Sequence, residues 1–219
     1  MMDKKEMIAK RIAQILKPNE FVNLGIGIPT LVAKYIDPKS DIHFHSENGF
    51  THAGPIITDP DKIDKELINA SDQFVSILPG GAFFDSATSF GIVRGGHLDW
   101  TILGALQVDA EGNLANWKVP GAVTVGVGGG MDLVSGDLKV IIAMEHCSKD
   151  GTSKIVNKCD VPLTGLKCVD IIVTDLAFIE VTPEGLVLRE TAPGVSVDEV
   201  IAATEADLIL DPNIKTMDV

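Results

Sequence analysis

Phe21-Val22-Asn23-Leu24-Gly25-Ile26-Gly27-Ile28-Pro29 is the stretch that decides the fold class. Phe21 to Leu24 is an uncharged run of strand length and reads as a short buried strand. Gly25 to Ile28 is a tight turn. Pro29 suits the first position of a following helix, where its fixed φ is pre-organised and its missing N–H would find no helical partner anyway. That helix is expected to end near Pro38. Upstream, Ile8, Ile12, Ile15 and Leu16 follow i, i+4, i+7, i+8 spacing, an amphipathic helix stopped at Pro18-Asn19. Downstream, residues 42–46 form a second strand that runs directly into the turn Glu47-Asn48-Gly49.

The same alternation continues. Residues 74–78 read as a strand followed by the turn Pro79-Gly80-Gly81. Asp85 or Ser86 can cap a short helix that reaches Val93 and stops at Gly95-Gly96. Residues 100–104, 139–144 and 169–174 are near-continuous apolar runs, the pattern of strands covered on both faces. Residues 177–181 and 186–190 flank Thr182-Pro183-Glu184-Gly185, a hairpin. Ser196-Val197-Asp198-Glu199 has the form of a capping box and opens a last helix to Thr204. The expected class is α/β, an open, mostly parallel sheet with helices on both faces, in a single domain over residues 1–219.

Composition sets the outer limits. The 219 residues carry a formal charge of −13, from 18 basic and 31 acidic side chains, with 45% hydrophobic and 22% charged residues. This is globular composition. The negative balance argues against nucleic acid and against an anionic membrane surface. No apolar window is long enough to span a bilayer, and residues 1–11 are charged rather than signal-like. Three cysteines (Cys147, Cys159, Cys168) without a C-x-x-C pair imply free thiols and a cytoplasmic location.

Among candidate functional residues, Glu47 is the most informative. It lies where a strand ends and a glycine turn begins, the place where open α/β sheets gather their chemistry. A carboxylate there can be a base, a metal ligand or a nucleophile. A solvent-facing turn glutamate is the plainer alternative. His43, His45 and Glu47 share a face if the strand continues, but no further Cys, His or Asp completes a metal site, and none is expected. Gly25-Ile26-Gly27 lacks the third glycine of a dinucleotide fingerprint, which would fall at Thr30. Gly126-Val127-Gly128-Gly129-Gly130 fails likewise at Met131, and no phosphate-binding P-loop is present. These glycines still permit close backbone approach to a ligand or an oxyanion. Cys147 follows His146, but neighbours along a strand point to opposite faces, so the thiols read as structural. Arg94-Gly95-Gly96-His97 reads as a helix C-terminal stop.

Together these segments resemble the family I coenzyme A transferases, in particular the B (beta) half of 3-oxoacid and acetoacetate CoA-transferases. The resemblance is carried by residues 22–30, by Ser46-Glu47-Asn48-Gly49, by Phe84-Asp85-Ser86, and by Arg94-Gly95-Gly96-His97-Leu98-Asp99. Residues 103–109, Asn113-Leu114-Ala115-Asn116-Trp117 with Pro120-Gly121, and residues 126–133 complete it in order. Gly130 departs from the family, which has Ala there, and residues 50–54 carry no assignment.

The resemblance implies that Glu47 is a nucleophile forming a glutamyl-CoA thioester in a ping-pong exchange. It implies an oxyanion donor at the Gly128 backbone, with Gly129 adjacent, and coenzyme A contacts at Asn23, Gly25 and Gly27. It implies no cofactor beyond coenzyme A as substrate, and a separate CoA-transferase A (alpha) subunit in an A2B2 or larger assembly. The substrates would be a short-chain acyl-CoA and a carboxylic acid such as acetoacetate. An acyl-CoA hydrolase or other enzyme on a related scaffold, and a non-catalytic partner subunit, are the alternatives. Because the chain is acidic, the polyanionic coenzyme is expected to bind mainly by its pantetheine arm.

Overall fold

The computed structural model describes residues 3–37, 39–118, 121 and 128–219. Its main sheet has nine strands: β1 (Phe21–Leu24), β2 (His43–Ser46), β3 (Phe50–Thr51), β4 (Trp100–Leu103), β5 (Lys139–Ala143), β6 (Ile171–Val173), β7 (Ala177–Thr182), β8 (Gly185–Thr191) and β9 (Leu208–Thr216). The spatial order is β9-β8-β7-β6-β5-β4-β1-β2-β3. The central run from β6 to β2 is parallel throughout. β3, β7 and β8 add antiparallel pairs, and β9 runs parallel to β8.

Consecutive strand residues sort to opposite faces, as a period of two requires. Ile102, Ile141 and Val173 pack on one face with Ile8 and Ile12 of α1 (Lys4–Ala13). Their neighbours Leu103, Ile142 and Ile172 pack on the other with Val93 of α3 (Ser86–Arg94) and Val200 of α4 (Val197–Ala203). Val108, Leu114 and Ile155, from a three-stranded side sheet, join that second core. This is the open α/β architecture with helices on both faces.

The caps form as the sequence suggests. Asp85 accepts from the Thr88 N–H to start α3, and the Ser196–Glu199 capping box starts α4. Four features differ. α1 stops at Ala13, short of Pro18, and α2 covers only Ile28–Leu31 before tightening into a 3-10 turn over Val32–Tyr35. Residues 50–54 supply β3 and the start of Ala53–Ile56, which pairs with Val75–Ile77. β9 carries no clear strand signal in the sequence, because Pro212 interrupts its pattern. It lies at the sheet edge, where a strand tolerates a residue with no N–H to donate.

Candidate active site

The chain leaves β1 in one direction, towards β2, and β4 in the other, towards β5. The carboxyl ends of β1 and β4 therefore flank a crevice, the usual ligand position in an open α/β sheet. A cavity of about 560 Å³ opens there. Gly25 and Ile26 reach it from the end of β1, Glu47 from the end of β2, and Leu103 to Leu106 from the end of β4. Asn116, Trp117, Gly128, Gly129, Gly130 and Leu133 complete the wall. Gly25 donates its N–H to the Ile102 carbonyl at 2.9 Å, and a Cβ there would lie 2.9 Å from Leu103 Cδ2. A glycine is what lets the two strand ends close on each other.

Glu47 is half-buried. Burial raises its carboxyl above the ordinary glutamate value, and the negative charge of Asp132 raises it further. Arg94, at the last turn of α3, donates from Nε to Asp132 Oδ1 at 2.6 Å and so partly counters that charge. The carboxylate faces Gly129 closely: a Cβ on Gly129 would stand 3.2 Å from Glu47 Oε2 and 2.7 Å from the Phe90 ring. Any side chain at 129 would displace one of them.

α3 organises this arrangement with three side chains. Ser89 donates to the Glu47 carbonyl at 2.7 Å, Phe90 packs on Gly129, and Arg94 ties down Asp132 just beyond the glycine run. Sequence reasoning placed the helix but missed Ser89 and Phe90. No local signal marks them, because their partners are distant in the chain.

Of the residues singled out from sequence, the structure brings Glu47, Gly25, Gly128 and Gly129 to one cavity. Gly27 caps α2 with φ +88° and shapes the turn without sharing the wall. Asn23 is fully buried beneath the site, between Thr101 and His45, and has no share of the wall either. Pro120, Gly126 and Val127 lie outside the described residues. His43 stacks against His52, whereas His45 is buried with both ring nitrogens hydrogen-bonded. Among the described residues no cluster of three His, Cys, Asp or Glu could hold a metal. Burial holds the Cys159 and Cys168 thiols protonated, pushed up to about 12 and about 11, and raises Cys147 as well. None of the three is poised as a nucleophile.

The coenzyme A transferase family model matches residues 5–203. The chain belongs to the coenzyme A transferase family. It is 49% identical over 218 residues to the beta chain of the acetate CoA-transferase of Haemophilus influenzae, covering 100% of this chain and 97% of that protein. It is 46% identical to the B component of the succinyl-CoA:3-ketoacid coenzyme A transferase of Helicobacter pylori, covering 93% of this chain and 97% of that one. A human mitochondrial succinyl-CoA:3-ketoacid coenzyme A transferase is 45% identical over 98% of this chain, which spans 42% of that longer protein.

Among solved structures, the apo acyl-CoA transferase YdiF of Escherichia coli O157:H7 superposes with a TM-score of 0.79 at 22% identity, over 99% of this chain and 43% of that one. The glutaconate coenzyme A-transferase of Acidaminococcus fermentans gives 0.75 at 19% identity, over 98% of this chain and 88% of that one. These two likenesses concern the fold. Among the described residues no helix is long and apolar enough to cross a membrane.

Proposed function

We propose that this chain is the catalytic B-type component of a CoA-transferase that moves coenzyme A between a short-chain acyl-CoA and a carboxylic acid such as acetoacetate. The carrying observation is the half-buried Glu47 carboxylate at the strand crevice, set against Gly129 in a largely apolar cavity. Glu47 attacks the thioester carbonyl, the C–S bond breaks, and CoA leaves as thiolate with a mixed anhydride formed on the side chain. The thiolate attacks the glutamyl carbonyl, the acid leaves as its carboxylate, and a glutamyl-CoA thioester remains. A second carboxylate runs the steps in reverse, restoring Glu47.

Burial supports this chemistry, because a carboxylate stripped of water is a stronger nucleophile. Backbone N–H groups at Gly128 and Gly129 stabilise the tetrahedral oxyanion, one such donor contributing about 3–4 kcal/mol. The pantetheine arm passes along Gly25 and Ile26, with Asn23 supporting that wall from beneath. No cofactor is needed. The names of the bacterial relatives, and the human relative that carries this part as 42% of its length, support an A-type partner. The assembly proposed with that partner is A2B2 or larger. The protonated, unpaired thiols support a cytoplasmic setting.

The test is steady-state kinetics of the assembled enzyme over acyl-CoA donors and acid acceptors. Parallel double-reciprocal lines, and exchange of labelled acetate into acetyl-CoA with no other acid present, are expected. Intersecting lines without exchange, or hydrolysis as the main outcome, would overturn the reading.

A further inference from the structure

Thr101, Asn23 and His45 stand side by side across three parallel strands. Asn23 on β1 pairs in register with His45 on β2 and with Thr101 on β4. Asn23 and Thr101 are fully buried and His45 is 1% exposed. Apolar residues fill comparable positions elsewhere in this sheet, and a buried polar row is costly unless each group is paired. The row continues to Ser89 on α3. The distances are 3.2 Å from Thr101 Oγ1 to the Asn23 carboxamide and 2.9 Å from that carboxamide to His45 Nδ1. His45 Nε2 lies 3.1 Å from Ser89 Oγ, which lies 2.7 Å from the Glu47 carbonyl oxygen.

Counting hydrogens fixes the direction. Each hydroxyl has one proton to give, and a neutral imidazole has one N–H. Burial keeps His45 neutral near pH 7, its pKa lowered to about 4. With Asn23 Nδ2 turned to Thr101, His45 carries its proton on Nδ1 and Nε2 takes the Ser89 proton. The Glu47 carbonyl, 2.7 Å from Ser89 Oγ, is then left without a donor. With the carboxamide turned the other way, every contact has one donor and one acceptor. Thr101 donates to Asn23, Asn23 to His45 Nδ1, His45 Nε2–H to Ser89, and Ser89 to Glu47.

We propose that the row Thr101–Asn23–His45–Ser89 is a positioning device for Glu47, a one-way chain of hydrogen bonds ending on its main-chain carbonyl, with His45 as the central positioning residue. Glu47 is the first residue of a turn, and its carboxylate has three side-chain torsions to hold. Anchoring the backbone it springs from removes part of that freedom, and a misplacement of about 1 Å at a reacting group can cost about 100-fold in rate. Each link polarises the next, so the chain is stiffer than its separate bonds. The proposal rests on Glu47 being the nucleophile.

The experiment compares Ser89→Ala, His45→Leu, His45→Gln and Glu47→Ala in the assembled two-subunit enzyme, each checked for folding by circular dichroism. Ser89→Ala and His45→Leu are expected to lower kcat by about 10- to 100-fold with KM within about twofold. His45→Gln can accept from Asn23 through Oε1 and donate to Ser89 through Nε2, so it should recover most of the loss seen in His45→Leu. Undiminished kcat in Ser89→Ala would overturn the proposal. So would His45→Gln as slow as His45→Leu, or losses that appear only in KM or in melting temperature. Activity retained by Glu47→Ala would instead overturn the reading of Glu47. An inactive Glu47→Ala beside a fully active Ser89→Ala would overturn the positioning row alone.

Discussion

His45 and His146 are both buried, both hydrogen-bonded at each ring nitrogen, and both held neutral, their pKa lowered to about 4 by burial. His146 lies 2.9 Å from Thr174 Oγ1 through Nδ1 and 2.9 Å from Thr204 Oγ1 through Nε2. Thr204 gives its own proton to the Val200 carbonyl, so His146 donates from Nε2, as His45 does in its row. The chemistry of the two rings is the same, but their destinations differ. His146 joins the bend after β6 to the end of α4 and does not line the cavity at Glu47, whereas His45 leads through Ser89 to Glu47. A buried histidine is a folding element by default. Its place relative to the crevice between β1 and β4 is what gives one of the two a part in the proposed catalysis.

The largest effect should come from the end of the His45 row. Glu47→Ala is expected to abolish CoA transfer, by on the order of 10⁴-fold or more in kcat. Its melting temperature at pH 7.5 should be no lower than the parent's. Burial raises the Glu47 carboxyl, so ionising it in the fold costs stability that the variant recovers. A variant that melted far below the parent would make Glu47 a structural group.

Gly129→Ala is the next in size. The added methyl meets Phe90 at 2.7 Å and Glu47 Oε2 at 3.2 Å, so kcat should fall on the order of 100-fold while the fold remains intact. An active Gly129→Ala enzyme would show that the glycine run can stand away from Glu47 during turnover.

The two histidines separate further on. His146→Leu removes the hydrogen bonds from the ring to Thr174 and Thr204 and should destabilise the chain by about 1–3 kcal/mol, read in urea unfolding, with kcat of the folded enzyme unchanged. A loss of kcat there would break the comparison by giving His146 a part in turnover.

Acid sharpens it from another side. Both histidines have folded pKa values near 4, below the ordinary 6.5. The unfolded chain therefore takes up protons that the folded chain refuses. The stability they contribute is fully present above about pH 6.5 and is lost as pH falls toward 4, with a combined slope of up to ~2.7 kcal/mol per pH unit. His146→Leu should remove about half of that slope. The smallest effect concerns Glu47 itself. The acid limb of kcat/KM should lie above the ordinary glutamate range, and Asp132→Asn should move it down by removing a nearby negative charge.

The contrast between the histidines also marks what the sequence makes legible. β1, β2 and the turn at Glu47 follow from local signals, namely apolar runs broken by Gly and Pro within a few residues. The row beneath Glu47 does not, because Ser89 reaches Glu47 across 42 positions and Asn23 reaches Thr101 across 78. His45 carries the same letter whether it is a metal ligand, a core residue or a positioning group. Gly128 and Gly129 are alike in sequence, but the first needs its φ of +56° and has open space around it, whereas the second needs its missing side chain. β9 is hidden by Pro212, whose cost vanishes only because the strand is at an edge.

The most direct test of the central claim is the intact mass of this chain after its two-subunit complex is incubated with acetyl-CoA and quenched in acid. The chain should gain the mass of coenzyme A less one water, on the peptide containing Glu47, and lose the gain when acetate is added back or when hydroxylamine is present. No gain, or the same gain on Glu47→Ala, would contradict it.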